Sequence, residues 1–363
     1  MRSKYKTLEE KIKDSTNWNL SRVKFVSYLI ISMHKTQSVS FVKLSQGIHN
    51  GSLLESNYRR IQRFFSQFDI DFKLIALLIY SLLPDKKKLR LSLDRSNWKF
   101  GKLNVNILML SVCYKGLAIP LLWELLPKRG NSNFQERKDL IDRYLELFGS
   151  DSIDCLPADR EFIGKSWFEY LSMKNITFYI RIRNNMDVQF GRNKRIKSGK
   201  LFFHKKYDVV HQFPEKVMIT SCKLSVWGMK YKNMETVKTE HIIIVSNCSE
   251  GNGIEIYKDR WQIETLFRAL KSSGFNLEDI HLVHIERIKK LIAIMAIAYI
   301  WAYKTGIFIH ENIKQIKIKK FKKAKTRRQY SFFKYGLMHL THALLNSFKS
   351  NEFKRYCKLL SCT

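Results

Sequence analysis

Between Leu89 and Arg183 the hydrophobic period switches in a fixed order, and that order limits the fold more than any other feature of the chain. Leu89 to Leu93 alternates basic or polar residues with apolar ones, as a half-buried strand does, and ends at Asp94. Asn106 to Tyr114 and Leu117 to Leu126 are apolar runs joined by Lys115-Gly116, a sequence that predicts a β-hairpin. Gln135 to Phe148 places Leu140, Ile141, Tyr144 and Leu147 on one side of a helix. Ser152 to Pro157 reads as a short strand that delivers Asp159 at its far end, followed by a short helix over Lys165 to Met173 and a strand over Ile176 to Arg183. The predicted order is strand, two hairpin strands, helix, strand, helix, strand. It is an α/β layer with an aspartate at the end of its first and fourth strands.

The flanks are of a different texture. Residues 1 to about 85 read as helices, with apolar spacing over Leu20–Met33, Phe41–Ile48 and Tyr58–Phe68. Arg59, Arg60 and Arg63 stand beside Tyr58 on one of these, a helix suited to a phosphate backbone or a major groove; a solvated basic face is the plain alternative. Residues about 184 to 245 are rich in Lys, Arg, Val, Thr and aromatics, and His241-Ile242-Ile243-Ile244-Val245 is a strand, so this block is a β-rich insertion. Tyr257 to Lys271 has no glycine or proline and predicts one helix. At ~100° per residue Tyr257, Arg260, Glu264 and Lys271 would fall within a ~60° stripe, with Ile263, Leu266, Phe267 and Leu270 on an apolar face. Beyond it, His281 to Trp301 reads as a helix, Lys314 to Arg328 as a strongly basic stretch, and Tyr330 to Leu360 as one or two more helices.

Charge narrows the partner. Lys and Arg number 65 against 32 Asp and Glu, a formal net charge of +33, which calls for a polyanion: nucleic acid or an anionic membrane surface. An aromatic content of 13% and a hydrophobic content of 45% exclude a disordered basic tail. The six cysteines form no Cys-x-x-Cys pair, which argues against a zinc site and a disulfide framework and fits a reducing cytosol. Met-Arg-Ser-Lys-Tyr-Lys leads into charged sequence, not an apolar signal region, and the apolar run Leu291 to Tyr303 is too short for a bilayer and reads as a buried helix. A cytoplasmic protein that binds nucleic acid and no membrane is the expectation.

Asp94, Asp159 and Glu264 stand where such a sheet would gather them. Carboxylate oxygens suit Mg²⁺ or Mn²⁺, and two such ions activate a water or a DNA 3′-hydroxyl for in-line phosphoryl transfer. Each residue alone has a plainer reading: Asp94 as a strand-end residue, Asp159 as a helix cap, the Tyr257–Lys271 helix as an amphipathic helix with a solvated charged face.

Tyr257, Arg260, Glu264 and Lys271 keep the spacing Tyr-x2-Arg-x3-Glu-x6-Lys, which resembles the signature of the bacterial DDE insertion-sequence transposases, the family named after insertion sequence four. Asp94 in Leu-Ser-Leu-Asp-Arg-Ser-Asn-Trp and Asp159 in Asp-Arg-Glu-Phe resemble the family's two aspartate motifs. The resemblance covers about Leu89 to Lys271 and is weakest after Lys289. It implies a ribonuclease-H-like catalytic core (86–183 and 246–290) interrupted by the β-rich insertion (184–245), with a helical DNA-end-binding region (1–85) and a basic helical C-terminal region (291–363). It implies Mg²⁺-dependent (or Mn²⁺-dependent) cleavage at terminal inverted repeats and strand transfer into target DNA, with Asp94, Asp159 and Glu264 on the metals. Tyr257, Arg260 and Lys271 would contact the DNA end. Double-stranded DNA is the partner, a homodimer in a synaptic complex the working form, and the bacterial nucleoid in the cytoplasm the place. An aromatic expected at the start of the Ile242–Val245 strand, onto which a flipped base would stack, is His241 here; Trp227 is a weak substitute, because a Trp in a β-rich block is more often core. His281 and His284, at i and i+3, lack a matching carboxylate and read as structural. Arg160 and Glu161 would position the Asp159 loop, and Arg95 and Asn97 are solvated loop residues or DNA contacts. The run Lys317, Lys319, Lys320, Lys322, Lys323, Lys325, Arg327, Arg328 has a solvated basic segment as its ordinary reading, and at this net charge phosphate contact is favoured over it slightly. Two alternatives stay open: a transposase-derived repressor without catalysis, and a nuclease of similar fold without strand transfer.

Overall fold

A computed structural model describes residues 5–83, 85–100, 103–191, 194–233, 236–320, 326–346 and 351–360. The chain is mixed α/β, with a large mixed sheet and helices at both ends. It divides into two compact units: a sheet unit of residues 85–96 and 107–264, and a helical unit of residues 1–84, 97–106 and 265–363.

The sheet unit is built on β1 (Leu89–Phe100), β2 (Leu103–Tyr114), β3 (Leu117–Leu125), β4 (Ile153–Ala158) and β5 (Phe178–Ile182), with α6 (Phe134–Phe148) and α7 (Lys165–Met173) in the connections. The β-rich block adds β6 (Asp187–Phe190), β7 (Lys194–Lys197), β8 (Val210–Gln212), β9 (Val217–Ile219), β10 (Cys222–Lys232) and β11 (Thr239–Ser246). These extend the same sheet, in the order β3-β2-β1-β4-β5-β11-β10-β9-β6-β7, with β8 on β10. The hairpin turn falls at Lys115-Gly116 as expected, with φ of 48° and 87°, the two positive values that a tight hairpin of right-handed twist needs. Asn133 and Glu136 close a capping box that starts α6.

One strand differs from expectation. β1 does not stop at Asp94 but continues to Phe100. Its parallel ladder with β4 ends at Leu93 opposite Ala158, but its other edge is hydrogen-bonded to β2, and the long hairpin carries it onward.

The helical unit contains α1 (Lys6–Ser15), α2 (Leu20–Thr36), α3 (Phe41–Gly47), α4 (Leu54–Gln67) and α5 (Phe72–Ser81). The sheet unit closes with α8 (Gly253–Lys258), and α9 (Trp261–Arg268) follows it. The helical unit then adds α10 (Ile285–Asn312), the ribbon of β12 (Ile318–Lys320) and β13 (Thr326–Arg328), α11 (Phe332–Asn346) and α12 (Asn351–Lys358). The helix expected from His281 begins only at Ile285, with His284 as its N-cap. By length and composition α10 is able to cross a membrane, yet Leu291 to Tyr303 is wholly buried here, as a core helix. It crosses α11 so closely that a Cβ on Gly306 would lie 1.8 Å from the Phe332 carbonyl oxygen, and one on Gly336 1.8 Å from that of Ala302. The basic stretch folds in part into the β12–β13 ribbon, whose residues are all exposed; Lys322, Lys323 and Lys325 lie outside the described residues.

His34 sits at the centre of this unit, edge-on to Trp301 at 5.1 Å and Phe275 at 6.0 Å, with neither ring nitrogen hydrogen-bonded. Burial pushes its imidazole down to about 3. A neutral folded imidazole that titrates near 6.5 when unfolded makes proton uptake favour unfolding. Its contribution is therefore complete above pH ~6.5 and falls by about 2 kcal/mol on going to pH ~5. His34→Leu should flatten the pH dependence of the urea midpoint by that amount relative to wild type; parallel curves for the two proteins would refute this.

Candidate active site

The parallel register decides where the first two carboxylates meet. Leu93 pairs with Ala158, so Asp94 and Asp159 follow side by side at the end of the ladder. Leu91 and Leu93 are fully buried and anchor β1 from beneath, leaving the Asp94 side chain 14% exposed. Asp94 Oδ1 accepts the Arg95 N–H at 2.8 Å. Asp159 opens a single 3₁₀ turn, Arg160–Phe162, but its carboxylate does not cap that turn. Arg95 holds the loop by an ion pair with Glu161 at 3.2 Å and a bond to Asn131 at 3.1 Å. Arg137, lying over the Phe162 ring, donates to the Glu161 carbonyl at 3.0 Å. Arg137 also bonds Ser132 five residues back, but its contacts with Glu161 and Phe162 are distant in sequence, and no local pattern singles it out.

The one helix expected over Tyr257–Lys271 is broken twice. α8 ends at Lys258, and the N–H groups of Asp259, Arg260, Gln262 and Ile263 bond three residues back at 3.0–3.2 Å, tightening the chain into a turn. The Asp259 carboxylate fixes that turn, taking Arg90 Nη1 at 2.5 Å and Gln262 Nε2 at 2.7 Å. α9 then passes into a π-helical turn over Ala269–Ser273. The α8 segment is wedged onto the sheet by a buried cluster of Trp227, Tyr179, Ile244, Ile254 and Tyr257. Trp227 is therefore core.

This broken helix brings two side chains onto the strand ends. The Tyr257 hydroxyl donates to Asp159 Oδ1 at 3.1 Å. Arg260 donates from Nη1 to Asp94 Oδ2 at 3.1 Å and from Nη2 to Glu264 Oε1 at 2.5 Å, with its guanidinium 5.6 Å from the Tyr257 ring centroid. The Arg260 side chain is 5% exposed and that of Glu264 52%. Burial pushes the Asp94 carboxyl up to about 7 against the pull of Arg260 and the Arg95 N–H, with Glu161 and Asp159 raising it further. Burial likewise raises the Tyr257 phenol.

Asp94, Arg260 and Glu264 thus form one hydrogen-bonded set and Tyr257 and Asp159 another, the two meeting where the Arg260 guanidinium faces the Tyr257 ring. The remaining candidates make contacts of their own. Lys271 belongs to the helical unit, paired with Glu278 at 2.8 Å and 5.3 Å from the Trp98 ring. Arg59 and Arg63 share the exposed face of α4, whereas Arg60 is half-buried, its guanidinium 4.5 Å from the Phe25 ring. His241 pairs with Lys230 across β11 and β10, and burial followed by Lys230 lowers its pKa.

Three carboxylates with no thiol or imidazole bonded to them form a donor set that suits a hard divalent cation. In the present arrangement Arg260 is the cation that Asp94 and Glu264 share, Asp159 taking the Tyr257 hydroxyl, and among the described residues no three Asp, Glu, His or Cys side chains stand close enough to hold a metal. Arg260→Leu would leave Asp94 buried and unpaired, and is expected to destabilise the chain by about 3 kcal/mol. Glu264→Gln, at the half-exposed end of the same network, should shift stability by less than about 1 kcal/mol. Denaturant titrations of the two variants test the contrast, and an Arg260→Leu protein as stable as wild type would disprove it.

No curated protein matches the sequence. The family described as Transposase DDE domain matches residues 92–301, more than half of the chain, and the match includes Asp94, Asp159 and Glu264. The chain belongs to that family, of DDE-type transposase enzymes whose substrate is DNA.

Proposed function

We propose that this chain is a cut-and-paste transposase of the insertion sequence four type, cleaving DNA at terminal inverted repeats and joining the freed ends to target DNA. The observation that carries the reading is the contact pattern of the Tyr-x2-Arg-x3-Glu spacing. Tyr257 reaches Asp159, and Arg260 reaches both Asp94 and Glu264. A spacing that places a hydrogen bond on Asp94 and on Asp159, both distant in sequence, as well as on Glu264 is hard to account for as a solvated helix face.

Under this reading residues 86–183 and 246–290 form a ribonuclease-H-like core, 184–245 its insertion, 1–85 the DNA-end-binding region and 291–363 a basic C-terminal region. The strand order β3-β2-β1-β4-β5 supports it. Asp94, Asp159 and Glu264 would hold Mg²⁺ or Mn²⁺, which when bound supplies Lewis-acid activation of a water or a DNA 3′-hydroxyl. Tyr257 and Arg260 hold the carboxylates together in the free chain. With DNA present, the Arg260 guanidinium released from Glu264 would face a phosphate oxygen of the cut end, and Lys271 would lie along the same strand. Arg59 and Arg63 project from α4 and would contact the DNA end, with Arg60 bracing them through Phe25. Two ends handled together call for a homodimer on the DNA, in the bacterial cytoplasm at the nucleoid.

The test uses purified protein, DNA carrying the sequence that flanks the gene, and Mg²⁺. Glu264→Ala should bind this DNA as wild type does, yet cleave it about 100-fold more slowly or worse. Equal cleavage by the two proteins would defeat the assignment. Pre-cut ends should also give joined product; cleavage without joining would instead support a nuclease.

A further inference from the structure

The helical unit contains a cleft of about 430 Å³ that the proposed chemistry does not use. Three elements converge on it: the end of α2 at Gln37, the π-helical turn after α9, and the start of α11. Its lining includes Arg268 and Lys334 and no carboxylate. Arg268 is exposed, and its guanidinium has no hydrogen-bond or ion-pair partner among the described residues. Among the described residues Lys334 Nζ is held by neutral acceptors alone, Gln37 Oε1 at 3.2 Å and the Ser273 carbonyl at 3.5 Å, so none of them neutralises its charge.

The walls are rigid. Gly274 follows the π-turn, and a Cβ there would lie 2.4 Å from the Ala269 carbonyl oxygen and 2.7 Å from the Phe333 ring, so the turn is packed directly on α11. Asn276 Nδ2 donates to the Gln37 carbonyl at 3.2 Å, tying the turn to the end of α2. Ser331 Oγ accepts the Lys334 N–H at 3.2 Å and caps α11, whose first N–H groups add positive potential on the same side. Two uncompensated cations on a preorganised polar frame suit a phosphate with its flanking sugars: the guanidinium offers a planar fork, the ammonium a point charge.

We propose that this cleft is a second DNA contact, in which Arg268 and Lys334 grip one backbone phosphate. The proposal rests on the transposase reading for the identity of the polyanion.

The probe is a labelled mixed-sequence duplex, titrated at several salt concentrations. Freeing one phosphate should lower the slope of log affinity against log salt by about 0.9, so R268Q/K334Q should bind with a slope reduced by about 0.9, and R268K/K334R with the wild-type slope. Arg268→Gln alone, whose guanidinium bonds to nothing among the described residues, should reduce the slope by less than the double variant does and guards against a folding defect in that variant. Unchanged slopes in a wild type that binds and cleaves DNA would overturn the cleft assignment and leave the transposase reading intact. A wild type that binds no DNA would overturn both. Inorganic phosphate serves as the competing probe. If it raises the thermal midpoint of wild type but not of R268Q/K334Q, while the slopes stay equal, the cleft holds a free anion and the DNA contact is wrong.

Discussion

Three carboxylates drawn to one edge of a sheet repel one another, and each loses hydration as the chain closes over it. Arg260 is the counterweight. Its guanidinium reaches Asp94 with one nitrogen and Glu264 with another, and its own burial ties it to that task. Even so the Asp94 carboxyl is pushed up to about 7, which shows how far desolvation outruns the compensation. Asp159 receives a phenol instead of a charge, so a single cation suffices for the group. The break at Asp259–Arg260 belongs to the same constraint, because it sets Tyr257 and Arg260 onto the two strand ends, and Arg90 secures it through Asp259.

What was legible in the sequence was local. Lys115-Gly116 specifies its own turn by backbone sterics, and the apolar run Leu291–Tyr303 announces a core helix whatever packs on it. The order of strands and helices from Leu89 to Arg183 brought Asp94 and Asp159 together, because period and polarity are properties of neighbouring residues. The misses share a different cause. A good helix-forming stretch is broken at Asp259 by an arginine 169 positions earlier in the chain. β1 outruns its alternating pattern because a hairpin partner pairs with it. The stripe ending in Lys271 assumed α-helical periodicity, and the π-turn at Ala269–Ser273 takes that residue to Glu278 and Trp98. Propensity was overruled each time by a partner outside the segment itself.

Much of the +33 charge is presented outward in this fold. Arg59 and Arg63 point away from α4, the β12–β13 ribbon is exposed throughout, and the Arg268 guanidinium has no partner among the described residues. The helical unit tolerates this because its cohesion is apolar. α10 is buried along most of its length, and the glycines at its crossing with α11 let two backbones touch. The polar surface is then free to answer to DNA.

The three carboxylates also differ in how far they can move. Asp94 stands on a strand hydrogen-bonded on both edges, its side chain short and nearly enclosed. Asp159 begins a loop that two arginines pin down. Glu264 has a longer side chain, half in solvent, on a helix that gives way to a wider turn only one helical turn later. Any change in the geometry of the group therefore falls to Glu264: two carboxylates act as a fixed jaw and the third as the closing one. Rotation about the Glu264 side-chain bonds, on the timescale of a rotamer flip, would be enough to change the geometry of the group, with no strand of the sheet disturbed.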